Sequence, residues 1–413
     1  NQNVGFISSA IRSCAYSTEP RIINNPTTAS LKRGTGGRSS FNGIVCTIFG
    51  CSGFVGRNLP IRLGKIGTQA SEYKIIDFEV SRLFRPTILI CDPYHIRELK
   101  VGGDLGQVYY VPFDLRDEES IVRAMKYSNV VVNLIGTDYE TSNFRFNDVN
   151  IEGARTLARL AKECNVERFV HMSCLNAAAK PTPMIIPKGS KFLKSKWFGE
   201  LAVKEEFPEA TIVRPSVIYG CMDHFINRGQ PLNSKFILIV LCHNNAKFIH
   251  YNSIPLWHKG EKSEKQPVYI HDVISGLVEI IRNPDTAGKT YQFVGPERYT
   301  LAKLVTWMYE LKLQNTEDPY KINDMKYNPY FWFKTAMYEL MYSVHPMVNI
   351  SWEVMELHHT TDTIDPNLPT LEDLGVTPTN MKTRLAWEIE TYRDVYIDDL
   401  EKATPPNVKS VPD

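Results

Sequence analysis

Three glycines spaced three apart, in Gly50-Cys-Ser-Gly53-Phe-Val-Gly56, point most directly to chemistry in this 413-residue chain. A backbone that turns from strand into helix around a pyrophosphate must bend sharply and bring N–H groups close to the ligand. A Cβ obstructs both. The helix that follows presents unsatisfied N–H donors and a partial positive charge. Ser52, Phe54 and Val55 complete the candidate cradle with Gly50, Gly53 and Gly56. An acid about 20 residues further on would take ribose hydroxyls, and a base there would take a 2′-phosphate. Residues 68–85 read as irregular, and the next good strand is Thr87-Ile-Leu-Ile-Cys91. The acid is then Asp92, 36 residues after Gly56. Asp92 suits NAD, while Arg82 and Arg85 suit NADP, and both readings stand.

Such groups need a row of strand ends to hold them. Ile44-Val-Cys-Thr-Ile-Phe49 is the apolar, β-branched run of a buried parallel strand, and the glycine turn follows at once. The following helix is expected over Phe54–Gly64, kinked or shortened at Pro60, where a missing N–H costs about 3 kcal/mol. Strands follow at Val108–Asp114, Asn129–Gly136 and Arg168–Ser173. They alternate with helices at Glu118–Tyr127 and after Asp148, where Ala154, Leu157, Ala158 and Ala161 share a face. Asp148 is placed to cap that helix. The alternation predicts an α/β fold with a doubly wound (Rossmann) parallel sheet. Ligands belong at the C-terminal ends of its strands, where Gly50, Asp114, Gly136 and Ser173 fall.

Composition narrows the partners. The 47 basic and 46 acidic side chains leave a net charge of +1, which gives no field for attracting nucleic acid. The longest apolar run, Phe236–Cys242, is far short of the about 20 residues of a membrane-spanning helix. The chain is therefore expected to be soluble, or docked on a membrane complex. Eight cysteines without a C-x-x-C pair read as buried thiols in a reducing compartment, with no metal site. Residues 1–18 carry serines and Arg12 and no acid, as in the tail of a mitochondrial transit peptide or in a plain disordered terminus. The expected division is an extended arm over 1–40, a nucleotide-binding domain over 41–220, and a smaller C-terminal subdomain over 221–413. Within the last, residues 266–296 return to the sheet.

Gly50-x-x-Gly53-x-x-Gly56, Asp114, Asn133-Leu-Ile-Gly136, Ser173, Lys196 and Arg214-Pro-Ser-Val-Ile-Tyr-Gly220 resemble the atypical, extended branch of the short-chain dehydrogenase/reductases. Within it the chain is most similar to the nucleotide-binding accessory subunits of mitochondrial respiratory complex I. The matching stretches include Gly36-Gly-Arg-Ser-Ser40, Gly103-Asp-Leu-Gly-Gln107, Phe207-Pro-Glu-Ala210, Phe293-Val-Gly-Pro296 and Leu371-Glu-Asp-Leu-Gly375. Residues 68–90 and 230–253 fit poorly, and Ile90 stands where such subunits tend to carry a base facing the NADPH 2′-phosphate. The resemblance implies bound NADPH held by the glycine turn together with Asp114, Leu115, Leu134, Ile135, Gly136, Ser173, Lys196, Pro215 and Val217. It also implies other complex I subunits as partners, near the junction of matrix and membrane arms. The place would be the matrix side of the mitochondrial inner membrane, with peripheral membrane contact at most.

These reductases work with a Tyr-x-x-x-Lys pair. The phenol passes the proton while hydride moves, and the lysine one turn on lowers a pKa that starts near about 10. Here the segment is Phe192-Leu-Lys-Ser-Lys196. Lys196 and Ser173 remain, but a phenyl ring neither donates nor accepts a proton. The expectation is a bound nucleotide without turnover; the alternatives are an active NADP-dependent reductase of a small carbonyl or sugar nucleotide, and a sensor of the NADPH/NADP ratio.

After Gly220 the aromatic content rises. Asp272 is placed either to cap a helix or to touch a ligand. The C-terminal aromatics, from Trp307 and Tyr309 through Tyr327, Tyr330, Phe331, Trp332, Phe333, Tyr338 and Tyr342 to Trp352, read either as core or as a docking face.

Overall fold

A computed structural model of the chain describes residues 43–66, 69–75, 108–138, 140, 143–220, 253–312, 321–329, 331–333, 335–336 and 351–390. The elements around the strand ends are β1 (Val45–Phe49), α1 (Phe54–Lys65), β2 (Gln69–Ile75), β3 (Val108–Phe113), α2 (Glu118–Met125), β4 (Val130–Asn133), a π-turn (Asp148–Gly153) leading into α3 (Ala154–Glu163), β5 (Arg168–Met172), α4 (Lys191–Glu206) and β6 (Thr211–Pro215). Beyond them come β7 (Ile218–Tyr219), β8 (Ser253–Leu256), β9 (Glu264–Lys265), β10 (Val268–Tyr269), α5 (Ile270–Arg282), β11 (Thr290–Phe293), β12 (Tyr299–Thr300), α6 (Leu301–Lys312), β13 (Lys321–Asp324), α7 (Trp352–His359) and α8 (Met381–Glu390).

Seven of these strands form one sheet in the order β11-β6-β5-β4-β1-β2-β3, with every neighbouring pair parallel. The expected doubly wound sheet is thus present, and β11 is the segment that returns to it. Period-two alternation explains why the inner strands read as unbroken apolar runs. Cys46, Ile48, Val130, Val132, Val170, Met172 and Val213 face one layer, packed with Leu59 and Leu63 of α1 and Ile274, Leu277 and Ile281 of α5. Phe49, Val131, Phe169 and Ile212 face the other, packed with Ile121, Leu157, Ala158, Ala161 and Val203.

Three expectations change. Residues 68–85, read as irregular, contain β2, which pairs with β1 from Val45↔Gln69 to Phe49↔Tyr73 and with β3 on its other side. Backbone pairing holds Gln-Ala-Ser-Glu-Tyr-Lys-Ile in the sheet although its side chains are mostly polar. The strand expected at Thr87–Cys91, together with Arg82, Arg85, Ile90 and Asp92, lies outside the described residues, as do residues 1–40 and Phe236–Cys242. Helix α1 is not shortened at Pro60 but runs through it to Lys65. Asp148 does not cap α3; it opens the π-turn, and its Oδ2 accepts the N–H of Arg145 at 2.9 Å.

The C-terminal segment is tied to the sheet by buried polar bonds. Asp362 pairs with Lys265 at 3.5 Å, both almost fully buried. It also accepts from the Ser216 hydroxyl at 2.7 Å, the Gln266 N–H at 2.9 Å and the Asn176 amide at 3.0 Å. Asp272 does not cap its helix; it accepts from the N–H and hydroxyl of Thr379 at 2.6 and 3.0 Å.

Helix α4 is pinned to β6 by a two-pronged pair: Arg214 Nε and Nη2 reach Glu200 at 2.9 and 2.6 Å, with Glu200 buried and Arg214 nearly so. Removing one partner of such a pair leaves a stranded charge. Glu200→Ala is therefore expected to cost about 3–5 kcal/mol of stability in urea denaturation, whereas an apolar double replacement of both residues costs far less. A loss below about 1 kcal/mol for Glu200→Ala would show that the pair does not anchor the helix.

Candidate functional site

The turn between β1 and α1 has the geometry that a phosphate cradle requires. Gly50 has φ +90°, in the left-handed region, and a Cβ there would stand 2.9 Å from the Leu134 carbonyl carbon. At Gly56 a Cβ would meet Gly50 O at 2.1 Å, so only glycine lets the helix close onto the turn. Gly53 differs: it is exposed, and a Cβ would touch only Gly50 O at 3.4 Å. Its side of the turn is the open cradle. The first turn of α1 carries no acid and receives no side-chain cap, so its N–H groups and positive end face outward.

The neighbouring strand ends converge on this turn. Leu134 donates its N–H to Phe49 O at 2.9 Å, which sets Leu134, Ile135 and Gly136 beside Gly50. Asp114 and Leu115 end β3: Asp114 accepts the Arg116 N–H at 2.9 Å, and a Cβ at Gly153 would touch Leu115 at 2.8 Å. A cleft of about 420 Å³ opens there between Leu115, Arg116, Phe144 and Asp148. On the other side, Pro215 O accepts the Leu175 N–H at 2.9 Å, and Val217 O accepts that of Val268 at 2.9 Å. Ser52 and Val55 are half-buried and Phe54 is buried.

Lys196 is the point where these parts meet. Its ammonium lies where a Cβ on Gly136 would be 2.5 Å away, and it donates to Met172 O at 3.4 Å, its hydrogen bond among the described residues. Burial lowers its pKa. Ser173 follows Met172 at the end of β5; its hydroxyl is buried and without a partner among the described residues. One residue escaped the sequence reading. Asn150, on the π-turn, donates to Ser195 Oγ at 2.9 Å, and its Oδ1 is likewise buried and unpartnered. Its carbonyl lies where a Cβ on Gly199 would be 2.1 Å away, so the π-turn and α4 are in close contact. The only sequence signal for Asn150 is a polar residue between Val149 and Ile151 at the mouth of an amphipathic helix.

Phe192 occupies the face of α4 one turn before Lys196. Its ring is buried, lies 6.0 Å from Phe146 at 68°, and has Lys196 Nζ 5.9 Å from its centroid. Among the described residues no other phenol takes its place: Tyr219 is packed on Tyr269 at 5.4 Å within the core, and burial raises its pKa. Ser195 donates to Phe192 O at 2.8 Å and is used within the helix. Burial pushes the Cys174 thiol up to about 12, which disfavours the thiolate a nucleophile needs. Beside Phe146 a second cleft, of about 610 Å³, opens between Ile185, Pro187, Trp352 and Glu353.

Beneath the site lies His171. Asn133 Oδ1 accepts the Ile135 N–H at 3.0 Å, so its amide nitrogen faces His171 Nδ1 at 3.1 Å and donates to it. Burial, with Lys196 nearby, pushes the imidazole down to about 3. His359 is buried and neutral as well: Nδ1 donates to Met355 O at 2.8 Å, Nε2 accepts from the Trp257 N–H at 3.1 Å, and burial lowers it to about 4. Among the described residues no cluster of side chains is arranged to hold a metal ion.

The orphaned oxygens of Ser173 and Asn150 and the open face at Gly53 fit a dinucleotide lying across the strand ends. Asp77, two positions beyond β2 in sequence and outside the described residues, is 21 residues after Gly56 and restores the usual spacing of the ribose acid. The C-terminal aromatics divide. Trp307 and Phe331 are core, whereas Trp332, Tyr327 and Phe333 are 42%, 76% and 67% exposed. Of the remainder, Trp352 packs on Trp332 at 4.7 Å, while Tyr330, Tyr338 and Tyr342 lie outside the described residues.

Residues 46–295 match the model of the NAD dependent epimerase/dehydratase family. The chain is 38% identical over 359 residues to the mouse protein named NADH dehydrogenase (ubiquinone) 1 alpha subcomplex subunit 9, mitochondrial, covering 86% of this chain and 82% of that one. It is 32% identical to the protein of the same name from Dictyostelium discoideum, covering 95% of each. Among solved structures it is similar in fold to DesIV, a dTDP-glucose 4,6-dehydratase from Streptomyces venezuelae with NAD and TYD bound. There the TM-score is 0.56 at 14% identity, over 85% of this chain and 98% of that one.

The two buried histidines make stability depend on pH. The unfolded chain takes up their protons below about pH 6.5, but the folded chain does not until about pH 3–4. The stability they contribute is therefore complete above pH 6.5 and lost as the pH falls towards 4. Denaturant melts of the His171→Leu variant are expected to show a shallower fall between pH 6.5 and 4 than the parent chain. Parallel slopes would contradict the neutral assignment.

Proposed function

The chain belongs to the NAD dependent epimerase/dehydratase family, and from that premise we propose that it holds NADPH as an accessory subunit of mitochondrial complex I without turning it over. The observation that carries this reading is Phe192. Its buried phenyl ring stands one turn before Lys196, where reduction by this route needs a phenol to pass a proton. When bound, the nucleotide supplies a nicotinamide able to give or take hydride. The first turn of α1 and the glycine turn would bind its pyrophosphate. Asp114 and Leu115 would flank one end of the ligand, and Leu134, Ile135 and Gly136 its middle. Ser173, Lys196, Pro215 and Val217 would line the other end. Lys196, kept from water beneath Gly136, would hold a ribose hydroxyl rather than tune a phenol, since a phenyl ring stands beside it and no phenol adjoins it among the described residues.

The choice of NADPH, the partners and the place rest on the likeness to the alpha subcomplex subunits. On this reading residues 41–220 are the nucleotide-binding domain, residues 221–413 the docking subdomain and residues 1–40 an arm. The chain sits on the matrix side of the inner membrane, near the junction of the two arms of the complex. The exposed Tyr327, Trp332 and Phe333 suit a surface that other subunits cover. No described helix is long and apolar enough to cross a membrane. A bound nucleotide would stabilise the fold by mass action, by about 4 kcal/mol at a thousandfold excess over Kd.

Retention of Ser173 and Lys196 favours a second reading, an active NADP-dependent reductase of a small carbonyl or sugar nucleotide. Phe192 weighs against it, because general acid catalysis contributes about 10²–10⁴-fold and no described residue adjacent to it replaces the donor. The parent chain, loaded with NADPH and offered small aldehydes and ketones, is expected to oxidise no more nucleotide than the protein-free control. Phe192→Tyr is expected to bind NADPH as tightly and to gain single-turnover hydride transfer. Substrate-dependent oxidation by the parent chain would overturn the non-catalytic assignment.

A further inference from the structure

Two carboxylates far from the glycine turn in sequence hold the helix that carries Lys196. Glu353 and Glu356 lie on α7, and neither forms an ion pair among the described residues; both instead accept backbone N–H groups. Glu353 Oε1 accepts the Phe192 N–H at 2.8 Å across 161 positions of sequence, and the Ser190 hydroxyl donates to the same oxygen. Ser190 Oγ in turn accepts the Leu193 N–H at 3.1 Å. These are the donors that the start of α4 would otherwise leave unsatisfied. Glu356 is fully buried and accepts from Met184, Ile185 and Ile186 at 2.7, 2.5 and 2.9 Å, fixing the loop that leads into α4. Capping of α4 is thus shared between Ser190 and a segment beyond the sheet. Lys196 lies one turn further along the same helix, under Gly136. The residue before Glu353 is Trp352, packed on the half-exposed Trp332 at 4.7 Å.

We propose that Glu353 and Glu356 are positioning residues for the nucleotide site: they set α4 so that Lys196 meets the ligand, and nucleotide binding and the ordering of α7 therefore stabilise each other. Such coupling is reciprocal, typically 5–150-fold in affinity. The inference rests on the nucleotide-binding reading above. It adds that the surface around Trp332 and Trp352 and the nucleotide site are read by one element, so that a loose α7 means a weak site.

The test uses the full chain. Hydrogen exchange over residues 351–360 is measured with and without saturating NADPH, and NADPH affinity is measured for the parent chain, Glu353→Ala and Glu353→Gln. Exchange in α7 is expected to slow by about threefold or more on binding. Glu353→Ala is expected to weaken NADPH by about tenfold, and Glu353→Gln, whose amide oxygen still accepts the Phe192 N–H, to restore most of the loss. If Glu353→Ala does not fold, the exchange measurement on the parent chain decides. Absence of NADPH binding by the parent chain would overturn both readings. Binding that leaves exchange in α7 unchanged, or a folded Glu353→Ala variant with parental affinity, would overturn this one alone.

Discussion

The position of the Lys191–Glu206 helix constrains everything else at the strand ends. The helix brings a lysine into a dry place under Gly136 and must be held firmly enough to keep it there. Three sets of contacts share that task. Arg214 and Glu200 fasten the helix to the sheet, Asn150 and the close contact at Gly199 fasten it to the π-turn, and Glu353 closes its first turn. Each involves a buried charge or polar group, and each is costly to break because the partner left behind has no water to turn to. A site built this way is preorganised before any ligand arrives.

Preorganisation explains how binding and catalysis can be separated. On the proposed reading the glycine turn, the helix end and the lysine would hold a nucleotide through fixed donors and charge, and none of them would have to gain or lose a proton. Turnover by the reductase route needs one more group, a phenol beside Lys196, and that position holds a phenyl ring packed on Phe146. The ring fills its space and takes part in a small core with Phe146 and Leu193, so the fold accommodates a phenyl where the reductase route would need a phenol. Lys196, buried without a carboxylate within ion-pair distance among the described residues, is better suited to waiting for a polar ligand than to standing alone.

Much of this was legible in the residues. Strands β1, β4 and β5 read clearly because, buried on both faces, they are dominated by apolar, β-branched and aromatic residues. The glycine turn read clearly because Gly50 and Gly56 have no alternative at +90° and at 2.1 Å. Strand β2 was not legible: Gln69–Ile75 carries Gln, Ser, Glu and Lys, and only its pairing with two neighbours makes it a strand. That miss put the candidate acid at Asp92, although Asp77 stands nearer the usual spacing from Gly56. The capping of α4 from Glu353 was invisible for another reason, since a contact across 161 residues leaves no local periodicity. Asn150 was hidden in the same way, as one polar residue among several in Asn147-Asp-Val-Asn-Ile-Glu152 whose partner, Ser195, sits on another helix.

The most direct test of the central claim is the nucleotide content of the intact chain isolated from its native assembly without added cofactor. The chain should carry about one tightly held NADPH per molecule, released only on denaturation, bound more tightly than NADH and still reduced after incubation with carbonyl compounds. A chain that comes away empty and binds neither nucleotide, or one whose bound NADPH is consumed when a carbonyl is added, would contradict it.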